Sequence, residues 1–130
     1  MIVGVGLDLV DIARIRRLLD ERGERALAKL FTAGEAAYAA QRPEPARHLA
    51  ARFAAKEAAY KALAGTAAAR GIGWQDVEVV VEWDGRPTLR LHGRAAARAA
   101  ELGVTRAHLS LTHAEATAAA VVVLEADEVR

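Results

Sequence analysis

Two acids in this chain, Asp8 and Glu57, stand where folding alone does not ask for one. Asp8 closes the stretch Gly4-Val5-Gly6-Leu7-Asp8, which otherwise reads as a strand, and aspartate is depleted in strands. Glu57 sits in Arg52-Phe53-Ala54-Ala55-Lys56-Glu57-Ala58-Ala59-Tyr60-Lys61, a helical segment rich in cations. From Gln41 to Arg70 six Lys and Arg face two Glu, a local net of +4 in a chain whose total is +1. With no cysteine and four histidines, the available metal donors are carboxylate oxygens, which favour Mg²⁺ (or Mn²⁺) over Zn²⁺. Mg²⁺ takes one or two protein carboxylates and fills its shell with water and phosphate oxygens. Asp8 and Glu57 therefore read as the two halves of a hard-metal site for a phosphate-rich ligand.

Each residue also has a plainer reading. Asp8 can be an acid salt-bridged within a tight helix–sheet contact, Gly4 and Gly6 supplying the close approach, or an anion beside deliberately open backbone; a buried acid needs a partner in both cases. Glu57 and Lys61 are also an ordinary i,i+4 pair, worth roughly 0.3–0.5 kcal/mol on a surface. Lys56 is harder to explain. It falls inside the apolar arc of Leu49, Phe53, Tyr60 and Leu63, so it must snorkel to water or meet an anion.

The elements that must position these groups follow from periodicity. Ile2 to Val10 alternates as a strand, with Val3, Val5, Leu7 and Leu9 on one face and Ile2, Gly4, Gly6, Asp8 and Val10 on the other. Asp11 caps a helix with Ile12, Ile15, Leu18 and Leu19 on one side, stopped by Gly23. A short helix through Leu27, Leu30 and Phe31 follows, and Thr32-Ala33-Gly34-Glu35 is a capping-box opening of another. Pro43 and Pro45 end that one, and the longest helix runs from about Ala46 to Leu63 with Gly65 as its stop. Val77, Val79, Val81 and Trp83 then alternate as a one-sided strand, turned by Asp84-Gly85 into Thr88–His92. An alanine-rich helix covers Gly93 to Leu102, ended by Gly103, before a strand pair at Ala107–His113 and Thr117–Glu125. The order β-α-α-α-β-β-α-β-β predicts an α+β fold with a largely antiparallel sheet against a long helix.

Composition narrows the class. At 130 residues the chain is expected to form a single domain, 1–130. It is 53% hydrophobic but only 5% aromatic, much of the remainder alanine, so the core is thin and oligomer formation would help it. A net charge of +1 gives no reason to expect nucleic acid or membrane as partners. The start Met1-Ile2-Val3-Gly4 lacks a basic region, so no signal peptide is expected, and the absence of cysteine fits a cytoplasmic protein.

Taken together, Gly4-x-Gly6-x-Asp8 and Arg52-Phe53-Ala54-Ala55-Lys56-Glu57-Ala58-x-x-Lys61 strongly resemble the holo-[acyl-carrier-protein] synthases, the small bacterial type of 4′-phosphopantetheinyl transferase. The likeness covers nearly the whole chain: Trp74-Gln75-Asp76-Val77-Glu78-Val79, Gly85-Arg86-Pro87 and Leu109-Ser110-Leu111-Thr112-His113 also match. The resemblance implies that Asp8 and Glu57 bind Mg²⁺ with the diphosphate of coenzyme A, and that Glu57, directly or through a metal-bound water, takes the proton of the attacking serine. It implies that Lys61 neutralises the phosphates and the leaving 3′,5′-ADP, and that Arg52, Gly65, Thr66, Pro87 and His113 line the coenzyme A site. It further implies a homotrimer with sites between subunits and an apo acyl carrier protein as partner, with the position of Arg14 a carrier contact. Arg14, Arg17 and Arg22 lie outside the apolar face of the first helix, either simply solvated or a basic face that steers an acidic carrier. The chain departs from the family pattern at Ala67, where glycine is expected, and at Thr112, which keeps the hydroxyl of the more frequent serine. His48, His92 and His108 carry no assigned role.

Two other classes compete. A Mg²⁺-dependent phosphohydrolase could use the same two acids and would turn over coenzyme A without a carrier. A non-catalytic binding module would have lost Asp8, Glu57 or Lys61, and all three are present.

Overall fold

The computed structural model describes residues 1–63 and 71–128. Strand β1 (Ile2–Asp11) leads into α1 (Ile12–Leu30), α2 (Ala33–Ala40) and α3 (Pro45–Leu63). A 3₁₀ turn at Trp74–Asp76 opens β2 (Val77–Val81), and β3 (Pro87–Leu91), α4 (Gly93–Glu101), β4 (Val104–His113) and β5 (Thr117–Ala126) complete the order. The elements follow in the predicted order, with the helix expected to end at Gly23 and the short helix after it joined across a kink as α1. Asp11 caps α1 by accepting from the Ala13 N–H, and Thr32 and Glu35 make the reciprocal capping box of α2. Gly23, at φ 56°, breaks the helical path within α1, the interruption its position predicts. Phe31 is not helical; it follows α1 as a buried extended residue.

The strands form two antiparallel sheets instead of one: β1-β5-β4 and the β2-β3 hairpin. Strand β2 stops at Val81, and Trp83 is 96% exposed instead of continuing the alternation. The reason is the turn. Gly85 adopts φ 88°, and Asp84 accepts from the Arg86 N–H, which swings Trp83 off the strand.

Helix α3 lies directly on the three-stranded sheet. A Cβ at Gly6 would run into the Ala58 carbonyl oxygen, and one at Gly4 into that of Ala62. The two glycines are therefore covered, which selects the tight-contact reading over open backbone. Ala118 and Ala120 supply the same small floor on β5, where Asp8 pairs with Ala120. With alanines on every side, α3 is buried nearly all round and has no single apolar arc; Tyr60, expected in that arc, is exposed. Gly6→Ala should lower stability by about 1–3 kcal/mol or more, because backbone has to move apart. Urea unfolding measures this, and an unchanged midpoint would refute the contact.

The core also holds charge. Lys56 and Glu35 form an ion pair at 2.8 Å, with side-chain exposures of 1% and 0%. Lys56 donates to the carbonyls of Trp74 at 2.8 Å and Val77 at 2.5 Å. Glu35 accepts from the backbone N–H groups of Thr32 at 2.9 Å and Val79 at 2.8 Å. Burial pulls the Lys56 ammonium below the ordinary lysine range, and the Glu35 carboxylate offsets part of that. The outer face of the sheet shows the reverse pattern: Val5, Leu7 and Leu9 are 59–68% exposed. Among the described residues no helix is long and apolar enough to cross a membrane.

Candidate active site

Asp8 emerges from β1 two residues beyond Gly6, so the contact that brings α3 onto the strand also sets the distance between the two motifs. Lys61 reaches across that contact. Its Nζ donates to Asp8 Oδ1 at 2.9 Å and to the Leu7 carbonyl at 3.0 Å. The Lys61 side chain is 52% exposed and that of Asp8 18%, so the pair lies at the rim of the helix–sheet contact. Glu57 precedes Lys61 by one helical turn, half-buried, and lines a cleft of about 280 Å³ with Tyr60, Ile72, Trp74 and Val77 among its walls.

This donor set fits a hard cation. Asp8 already stabilises an ammonium ion, and both acids offer oxygen alone. Among the described residues there is no cluster of three or more His, Asp and Glu that would close a protein cage. The site suits an ion that takes few protein ligands and shares the rest with water and phosphate.

A second, basic corner lies elsewhere on α3. Arg52 is nine residues before Lys61, about 13.5 Å along the axis. It is 4% exposed, with its guanidinium 4.3 Å over the Tyr38 ring and Nη1 donating to the His48 carbonyl at 3.3 Å. Its Nε has no hydrogen-bond partner among the described residues. Burial, then the positive charges of Arg52, Arg42 and Arg47, carry the His48 imidazole below its usual value. His113 ends β4, where it pairs with Ala118 of β5. Pro87 begins β3 opposite Val81. The structure thus brings Asp8 and Lys61 together, with Glu57 one helical turn before Lys61, and sets Arg52 apart from them along α3. Gly65 and Thr66 lie outside the described residues.

The third feature is a groove of about 810 Å³ along α1. Arg14 and Arg22 line it, together with Arg25, Lys29 and the acid Glu21; Arg17 is exposed but does not line it. The floor is apolar: Phe53 and Trp74 stack at 5.0 Å, and the Arg14 guanidinium sits 5.7 Å over the Phe53 ring. Spacing would have found Arg25 and Lys29, at i+3 and i+7 from Arg22, had Gly23 not signalled a new helix. Glu35 was also missed as a core group, because the capping box already accounted for its acid locally.

Comparison with known proteins finds relatives over nearly the whole chain. The family model for the 4′-phosphopantetheinyl transferase superfamily matches residues 4–122. The holo-[acyl-carrier-protein] synthase of Alkalilimnicola ehrlichii is 50% identical over 129 residues, which cover 98% of this chain and 100% of that protein. The crystal structure of the holo-[acyl-carrier-protein] synthase of Neisseria meningitidis superposes with a TM-score of 0.84 at 33% identity, covering 96% of this chain and 99% of that one. The Bacillus anthracis holo-(acyl-carrier-protein) synthase, solved in complex with CoA (3′,5′-ADP), gives a TM-score of 0.78 at 32% identity, covering 98% and 99%.

Proposed function

Because the chain belongs to the 4′-phosphopantetheinyl transferase superfamily, we propose that it moves the 4′-phosphopantetheine arm of coenzyme A onto a serine of an apo acyl carrier protein. What supports the assignment of roles is the Lys61–Asp8 contact, which joins two motifs more than fifty residues apart with Glu57 one turn away. The serine oxygen attacks the phosphorus that bears the arm, the bridging P–O bond breaks, and 3′,5′-ADP leaves. Glu57 accepts the serine proton, which it can do from the cleft it lines. Lys61, half-exposed, exchanges Asp8 for the phosphate oxygens and neutralises charge as the nucleotide departs. Asp8 and Glu57 would hold Mg²⁺ (or Mn²⁺), which when bound supplies charge neutralisation on the diphosphate. In-line transfer of this kind asks for alignment more than for covalent help from the protein.

The remaining roles complete the reading. Arg52, His113 and Pro87 line the coenzyme A site, the role that the resemblance also implies for Gly65 and Thr66. Separation of the Arg52 corner from Lys61 supports a site completed by a second copy, and the exposed apolar face of Val5, Leu7 and Leu9 supports a homotrimer that covers it. Residues 1–130 act as one transferase domain in the cytoplasm, where both substrates are soluble. The groove lined by Arg14 and Arg22 receives the acidic carrier.

Intact mass of an apo acyl carrier protein incubated with this protein, coenzyme A and Mg²⁺ tests the function. A gain of one phosphopantetheine arm, absent with EDTA, is expected. Release of 3′,5′-ADP with no carrier would instead mean a hydrolase. Glutamate at both Arg14 and Arg22 should raise KM for the carrier by about tenfold or more at low salt, while KM for coenzyme A holds. Equal effects on both substrates would mean the groove is not the docking face.

A further inference from the structure

Trp74 lines both cavities, the basic groove on one side and the Glu57 cleft on the other. Its ring is stacked on Phe53 at 5.0 Å with 23° between planes, and its carbonyl is held by Lys56 at 2.8 Å. Lys56 also holds the Val77 carbonyl, and its partner Glu35 holds the Val79 N–H, so the 3₁₀ turn at Trp74–Asp76 is clamped between α3 and β2. Glu35 is sealed in the interior, and Lys56, though it borders the Glu57 cleft, is 1% exposed and engaged by Glu35 and two backbone carbonyls. An apolar pair of the same volume would serve packing as well or better. What such a pair cannot supply is the N–H bonds to the Trp74 carbonyl in the turn and the Val77 carbonyl at the start of β2.

We infer that Trp74, fixed by the Glu35–Lys56 pair, is a positioning residue: the shared wall past whose edge the carrier serine enters the Glu57 cleft, an inference that rests on the transferase reading. An acidic carrier seated in the groove and coenzyme A seated at Glu57 meet across this one ring. Displacing the ring misaligns the two reactants while leaving the groups that hold each of them in place.

The protein has two tryptophans, and Trp83 is 96% exposed on a turn, so Trp83→Phe leaves Trp74 as the sole indole with activity unchanged. In that background, coenzyme A with Mg²⁺ and an apo acyl carrier protein, titrated separately, should each change the Trp74 emission. Trp74→Ala should then lower kcat/KM for the carrier by about tenfold to a hundredfold, with Kd for coenzyme A within about threefold, and Trp74→Phe should restore most of the loss. Emission blind to either ligand overturns the shared wall, as does a Trp74→Ala rate within twofold of the parent. Parallel loss of melting temperature, coenzyme A binding and turnover in both variants overturns positioning in favour of a structural role. Failure of the unchanged protein to load the carrier would remove the transferase reading itself, and the inference with it.

Discussion

Glutamine at position 57 should cut transfer of the arm by about 10²–10⁴-fold and leave the fold intact. The substitution keeps the shape of a half-buried side chain at the mouth of the cleft, so α3 and its contacts with β1 are undisturbed. It removes a base, and also one of two anionic oxygen donors. Asp8→Asn separates these contributions. It removes an anionic donor and the charge that pairs with Lys61, but no base. The Asp8–Lys61 pair is open to solvent on its lysine side, so its loss should change stability by only about 0–1 kcal/mol. Raising Mg²⁺ should therefore recover part of the Asp8→Asn rate and little of the Glu57→Gln rate. Single-turnover loading of an apo carrier, followed by intact mass across a Mg²⁺ series, measures both. A Glu57→Gln rate near that of the parent sinks the assignment of the base. Full recovery of Glu57→Gln by Mg²⁺ would mean that Glu57 only holds the ion.

Some of this was legible in the chain and some was not, for definable reasons. Asp8 stood out because its residue type disagrees with its strand, and such local conflict is where function tends to sit. The order of elements was legible because alternation, caps and glycine stops act over a few residues. Which face of β1 is covered was not. Val5, Leu7 and Leu9 look like the core side, yet the glycine face wins because only there can the α3 backbone come close. The split into two sheets was hidden as well, since pairing across long sequence separations leaves no local mark. Lys56 was expected to snorkel to water or meet an anion, but which anion was not legible; it is Glu35. Nothing near either residue announces the pair.

That pair carries the largest expected effect on stability. Lys56→Met should destabilise the protein by about 3–5 kcal/mol, because it strands Glu35 in the interior and leaves the Trp74 and Val77 carbonyls without their donor. Methionine fills much the same volume, so a cavity contributes little. Urea unfolding at one fixed protein concentration reads the loss, since self-association would otherwise shift the midpoint. The double variant Lys56→Met with Glu35→Gln is the informative companion. The amide oxygen of glutamine can still accept a backbone N–H from Thr32 or Val79, and no unpaired charge remains. The share of the loss that comes from the stranded charge should therefore return. Carrier loading should not, because the Trp74 carbonyl is still unheld and the wall between groove and cleft is still loose. If stability and loading recover together, the charged pair is only packing. A single Lys56→Met variant within about 1 kcal/mol of the parent would mean that the core tolerates the stranded carboxylate, contrary to its burial.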